Sequence, residues 1–214
     1  MTISPFRSSQ ACHANPHQGD RSRSSRHAVL LLSALVSPLG LIPAASAHAA
    51  GFVPDRSEIT FVSKQMGVEL QGRFRKFDGD IVFKPTDLAA SHARIEVDLA
   101  SIDLGAPDSE QEVKGKDWFL VANYPKGIFQ STQIRSKGPD QYEAAGKFTL
   151  KGITRDLVVP ITVRHAGKVD TAEGGFVMKR TDFNIGQGVW ADPDAVAINV
   201  TVKFKFALIS GSAK

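Results

Sequence analysis

From residue 57 onward, apolar and polar side chains alternate with a period of two. Ile59, Phe61 and Ser63 share one face, with Thr60, Val62 and Lys64 on the other. Val68, Leu70, Gly72 and Phe74 oppose Glu69, Gln71, Arg73 and Arg75, and Phe77, Gly79, Ile81 and Phe83 continue the series past a short break. Ile95, Val97 and Leu99 oppose Arg94, Glu96 and Asp98. Near the C-terminus Val196, Ile198, Val200, Val202, Phe204 and Phe206 oppose Ala197, Asn199, Thr201, Lys203 and Lys205. This alternation marks antiparallel strands with one dry and one wet face. Further strand-like runs cover residues 127–134, 141–150, 157–164 and 174–185, punctuated by Lys137-Gly138-Pro139-Asp140 and Lys151-Gly152. About eight strands result. They predict an all-β fold, an eight-stranded antiparallel up-and-down barrel of lipocalin-like shape, whose bore holds side chains or one slender ligand.

One segment departs from the pattern. Across residues 108–123 alternation stops and helix formers appear, with Asp108 and Ser109 as candidate caps and Trp118 and Phe119 as bulky apolar residues near the end. One or two short helices near a barrel opening are predicted there.

The first 47 residues read differently. Arg21, Arg23 and Arg26 precede an apolar run over residues 28–42, and Ala44-Ala45-Ser46-Ala47 supplies a small-residue cleavage site. This is the layout of a secretory signal peptide over residues 1–47, leaving one domain at 48–214. The alternative, a membrane anchor, needs roughly 20 apolar residues, and this run is shorter and broken by Pro38 and Gly40.

Removing the leader changes the charge balance. The whole chain of 214 residues carries +4, but Arg7, Arg21, Arg23 and Arg26 lie in the leader against Asp20 alone, so the remainder is near neutral. The electrostatic footprint of a nucleic-acid binder is therefore missing. The single cysteine, Cys12, also lies in the leader, which leaves the domain without a disulfide or thiol nucleophile.

Candidate chemistry is sparse. His48, His92 and His165 have no metal-pair spacing and read as surface imidazoles. Gly186-Gln-Gly188-Val-Trp-Ala191 matches a loose dinucleotide loop, but Asp192-Pro193-Asp194 and then another strand follow where a helix is needed, so a hairpin connection is expected. Asp78/Asp80 and Asp192/Asp194 read as turn residues rather than calcium or acid–base pairs. No catalytic residue, metal or cofactor is assigned. The apolar faces are rich in phenylalanine, and periodicity leaves two readings open: a packed core, or a slot lined by those faces.

The sequence also resembles a known family. Phe61-Val-Ser-Lys64, Val68-Glu-Leu-Gln-Gly-Arg-Phe74 and Phe77-Asp-Gly-Asp-Ile-Val-Phe83 are similar to the opening of the YceI-like polyisoprenoid-binding periplasmic proteins. Val97-Asp-Leu-Ala-Ser-Ile-Asp103, Asp117-Trp-Phe119 with Tyr124-Pro125, Phe129-Gln-Ser-Thr132, Gly146-Lys-Phe-Thr-Leu-Lys-Gly-Ile-Thr-Arg155 and Arg180-Thr-Asp-Phe-Asn-Ile185 extend the resemblance in order over residues 52–208. Members often carry a histidine near Lys64 and an Arg-Asp-x-His-Leu stretch where this chain has Val113-Lys-Gly-Lys-Asp117.

The resemblance implies a periplasmic binding or carrier protein with a long isoprenoid or related amphiphilic lipid inside the barrel, and no catalysis. The residues expected to touch that ligand are Phe61, Leu70, Phe74, Phe83, Val97, Trp118, Phe119, Phe129, Phe148, Phe176 and Ile198. Met178 adds an adaptable apolar surface. Arg180 and Asp182 are expected to pair as a structural latch, with a head-group contact as the alternative. No nucleic-acid partner and no stable membrane insertion are expected, whereas a homodimer through a strand edge or rim is compatible with the architecture. The competing readings are a ligand-free structural or interaction module of the cell envelope and, behind it, a periplasmic enzyme or an outer-membrane barrel.

Overall fold

A computed structural model describes residues 51–209. The leader, its cleavage site, His48 and Cys12 lie outside the described residues. The strands are β1 (Phe52–Gln65), β2 (Val68–Phe74), β3 (Phe77–Val82), β4 (His92–Asp98), β5 (Ile102–Asp103), β6 (Lys126–Gly138), β7 (Gln141–Leu150), β8 (Ile153–Ala166), β9 (Val169–Lys179) and β10 (Asn199–Ile209). One α-helix, α1, spans Pro107–Lys114. The strands form one antiparallel sheet in the order β3-β4-β6-β7-β8-β9-β10-β1-β2-β5.

The sheet curls because β1 joins distant parts of the chain. It pairs with β10 on one side and β2 on the other. Its register with β10 shifts between Val53 and Glu58, where the Ser57 hydroxyl donates to the Val53 carbonyl (2.7 Å) and accepts the Ala207 N–H (2.9 Å). The start of β1 also lies against β3, with the Phe52 and Phe77 rings 6.3 Å apart.

Ten strands replace the expected eight, for a local reason. The run over residues 68–83 is cut at Arg75 and Lys76, whose backbone bonds go to the 98–101 turn instead of a neighbouring strand. Arg75 N–H donates to the Ser101 carbonyl (3.1 Å), and the Lys76 carbonyl accepts the Asp98 N–H (3.0 Å). The two-residue β5 then crosses to pair with the end of β2.

Two smaller expectations also shift. The α1 N-cap is Ala106, with Pro107 in the first turn where its missing N–H costs nothing, so Asp108 and Ser109 lie inside the helix rather than capping it. Asp78-Gly79-Asp80 is no turn but part of β3, where Asp80 stands opposite Arg94. Asp192 does form a turn, its carboxylate accepting the Asp194 N–H at 2.9 Å. The Lys151-Gly152 connection has positive φ at both residues, +48° and +74°, as a two-residue hairpin turn requires.

The inward faces build two buried clusters. Phe52, Ile59, Ile81, Ile95, Val163, Ala172, Phe206 and Leu208 form one, and Leu99, Leu150, Phe183 and Ile185 the other, with Phe74 packed against both. Inward glycines make room for rings. Gly72 pairs with Phe61 and Gly174 with Phe204, and a Cβ on Gly174 would lie 2.5 Å from the Phe204 ring. The chain therefore places a ring flat over the strand where a side chain would otherwise stand.

Candidate functional site: an apolar cavity with one polar end

The two clusters do not fill the barrel. Between them runs a cavity of about 510 Å³ lined mostly by apolar side chains, within the ~300–1,000 Å³ range of small-molecule sites. Strand alternation produces it, because every second residue of each strand points inward.

Phe61, Leu70, Phe74, Phe83, Val97, Trp118, Phe119, Phe129, Phe148 and Phe176 all line the cavity, and Met178 joins them. Ile198 does not. It sits in the bend before β10, where its carbonyl accepts the Arg180 N–H (2.9 Å), so the inward register that starts at Val200 does not extend back to it. Sequence reasoning passed over several other lining residues. Tyr142 lies on the same alternating face of β7 as Phe148 and packs edge-on against Phe83 at 4.9 Å. Glu112 and Trp190 also line the cavity, but they come from a helix and a loop in which no two-residue period exists to reveal them.

The two ends of the cavity are built differently. At one end Phe204 and Phe206, stacked at 4.6 Å, line the space, and Phe52 (perpendicular to Phe206 at 5.4 Å) and Phe77 (6.3 Å from Phe206) pack against Phe206 from outside the lining.

At the opposite end lie α1, the turns of residues 115–124 and the loop of residues 180–198. There Arg180 is buried to 1% exposure. Its guanidinium donates to the carbonyls of Ile185 (2.9 Å), Gly186 (2.8 Å), Trp190 (2.8 Å), Val196 (2.8 Å) and Ala197 (3.2 Å). It is a latch, as expected, but onto backbone rather than onto Asp182, which is exposed. Burial lowers its pKa from the usual arginine value, yet a guanidinium stays charged in proteins.

Gly186 has φ +71°, and a Cβ there would lie 2.5 Å from an Arg180 nitrogen, so the glycine admits the arginine. The Gly186-x-Gly188 pattern is thus part of an arginine cage, followed by a short 3-10 turn over Gly188–Trp190.

The same loop is tied to the α1 segment. The Asp117 carbonyl accepts the N–H groups of Gly186 and Gln187, both at 2.8 Å. The Lys151 ammonium donates to the carbonyls of Lys116 (3.1 Å) and Asn184 (2.7 Å), and its partial burial lowers its pKa. Trp190 Nε1 donates to Glu112 at 2.9 Å, and its ring lies 5.7 Å from that of Trp118.

Charge elsewhere is on the outer wall. Asp103 accepts from Arg73 (2.8 Å) and Arg75 (3.0 Å), and these guanidinium bonds, Arg75 first, hold its carboxyl well below the usual carboxylate range. Glu96 pairs with Lys126 and Arg94, which lower its pKa likewise. His92 lies 3.5 Å from Asp80, and His165 3.0 Å from Asp170. Among the described residues, no group of three or more His, Cys, Asp or Glu side chains is placed to hold a metal ion, and no helix is long and apolar enough to cross a membrane. The outward charges are the reverse of the lipid-facing apolar belt of outer-membrane barrels.

Comparison with known proteins agrees with this architecture. BcnA of Burkholderia cenocepacia is 38% identical in sequence, with a TM-score of 0.71 over 73% of this chain and 98% of its own. A polyisoprenoid-binding domain from Saccharophagus degradans, implicated in plant cell wall breakdown, shares the fold at 16% identity, with a TM-score of 0.61 over 74% of this chain and 97% of its own. Among sequence relatives, a UPF0312 protein of Azotobacter vinelandii is 28% identical over 183 residues, covering 80% of this chain and 95% of that protein. The YceI-like domain model matches residues 52–208, nearly all that the structure describes. The chain belongs to the YceI-like family.

Proposed function

We propose that this protein is a binding and carrier protein that holds the chain of a long isoprenoid or related amphiphilic lipid inside its barrel. The observation that carries the reading is the cavity itself, apolar along its length and reaching from one buried cluster to the other. A packed structural module would fill that space with side chains, because protein interiors are close-packed. Each methylene withdrawn from water contributes about 0.8 kcal/mol, so a lipid chain can offset the entropy lost on binding. The polyisoprenoid-binding domain of the same fold supports this ligand class. The leader read from the sequence fits a periplasmic carrier, and the function needs no reacting group.

Native mass spectrometry of protein purified from its own host, followed by solvent extraction, tests the reading. A stoichiometric prenyl or acyl lipid is expected. Leu70→Asp, which puts a charge into the cavity, is expected to abolish lipid retention in protein that still shows the β-sheet circular dichroism of the parent. Retention at full stoichiometry in Leu70→Asp and in a second folded variant, Phe129→Asp, would refute it.

A further inference from the structure

Two polar atoms in the cavity wall stand apart from all the others. Trp118 Nε1 and Ser63 Oγ are shut off from solvent, and neither has a hydrogen-bond partner among the described residues. Both residues line the cavity. A buried donor left unpaired costs about 1–3 kcal/mol, and folded proteins rarely leave one so. The neighbouring indole shows the contrast, because Trp190 Nε1 is satisfied by Glu112 at 2.9 Å.

Ser63 and Trp118 belong to the same end of the barrel. Next to Ser63, the Lys64 carbonyl accepts the Ala197 N–H (2.9 Å), and Gln65 bridges to Val196. Arg180 binds the carbonyls of Val196, Ala197 and Trp190, and the Trp190 ring lies against Trp118.

An indole N–H only donates, and a hydroxyl can donate as well, so together they suit an oxygen acceptor. The charges nearby decide what kind. Arg180 and Lys151 direct their donors to backbone carbonyls. The wall at this end carries the carboxylates of Asp108 and Glu112 and the ammonium of Lys64, all three on exposed residues, so carboxylates outnumber the ammonium two to one. A phosphate would meet those carboxylates, whereas an uncharged oxygen would not.

Resting on the carrier reading, we propose that Trp118 and Ser63 form a head-group anchor. The lipid lies with an uncharged hydroxyl, ether or carbonyl oxygen against Trp118 Nε1 and Ser63 Oγ, and its tail runs toward Phe83 and Tyr142.

The test uses ¹⁵N-labelled full-length mature protein with three probes of one chain length: geranylgeraniol, the matching hydrocarbon without oxygen, and geranylgeranyl phosphate. The Trp118 indole N–H resonance is expected to move downfield with the alcohol and not with the hydrocarbon. Trp118→Phe and Ser63→Ala are each expected to weaken alcohol binding about fivefold more than they weaken hydrocarbon binding, the loss of one hydrogen bond. The phosphate is expected to bind more weakly than the alcohol. An unmoved indole resonance, equal losses for alcohol and hydrocarbon in both variants, or a phosphate that binds best would overturn the anchor while leaving the carrier reading standing. Failure of every probe to bind the parent protein would overturn the carrier reading and the anchor with it.

Discussion

The two ends of the barrel solve the same problem with different physics. At one end the strands supply their own plug: Phe52, Phe204 and Phe206 come from alternating positions of β1 and β10 and pack as rings. At the other end loops must close the space. A buried loop brings backbone N–H and C=O groups that the sheet does not satisfy. Here one arginine answers for five of those carbonyls, and Lys151 for two more. Side-chain packing is tolerant of shape, whereas a fork of directed hydrogen bonds is not. The difference assigns plasticity to the ring end and rigidity to the end that carries Trp118.

The sharpest way to break this contrast is Arg180→Met, which keeps the apolar bulk and orphans the carbonyls. Because each unsatisfied buried group costs about 1–3 kcal/mol, it is expected to cost more than about 4 kcal/mol or to prevent folding, as read by urea denaturation. Arg180→Lys restores charge but not the planar fork and should recover only part of the loss. Phe206→Ala at the ring end is expected to cost about 3 kcal/mol, with the fluorescence of Trp118 and Trp190 unchanged. If Arg180→Met proved the milder of the two, the contrast would be wrong.

The smallest effect concerns neither end but the β2–β5 junction. The folded-state pKa of Asp103 is depressed, so its ion pairs contribute fully above the ordinary aspartate value of about 3.9 and are lost as pH falls below it. Asp103→Asn should therefore be less stable than the parent at pH 7, with the difference shrinking toward zero in an acid titration to pH 2. A difference independent of pH would exclude the ion pairs as its source.

The strands were legible because a period of two needs no tertiary knowledge. Residues 68–75 and 199–206 announce their faces directly, and Ser63 stood in an inward series as its one polar member. The corner at Arg75 was not legible, since its backbone partners lie at residues 98–101, far along the chain. Nor were the partners of the Arg180 latch, since Asp182, the obvious partner in the sequence, faces solvent while the real partners are carbonyls that any residue would supply. Ile198 shows the limit of the period itself. A bend next to a strand preserves the pattern in the letters but not in space.

The pairing of β1 with β10 has a consequence for how the molecule comes into being. Ser57 and Ala207, which share a hydrogen bond at the bulge, are 150 residues apart, whereas Arg180 finds its carbonyls within 17. Closing a long loop costs entropy that a local contact avoids. A chain made from its N-terminus can therefore assemble the β6–β9 meander while β1 still waits for a partner not yet synthesised. Until residues 199–209 emerge, the nascent protein is an open sheet with its apolar wall facing water. That makes the final strand the step that hides the wall, and the interval before it the one in which the newborn chain is most in need of a chaperone.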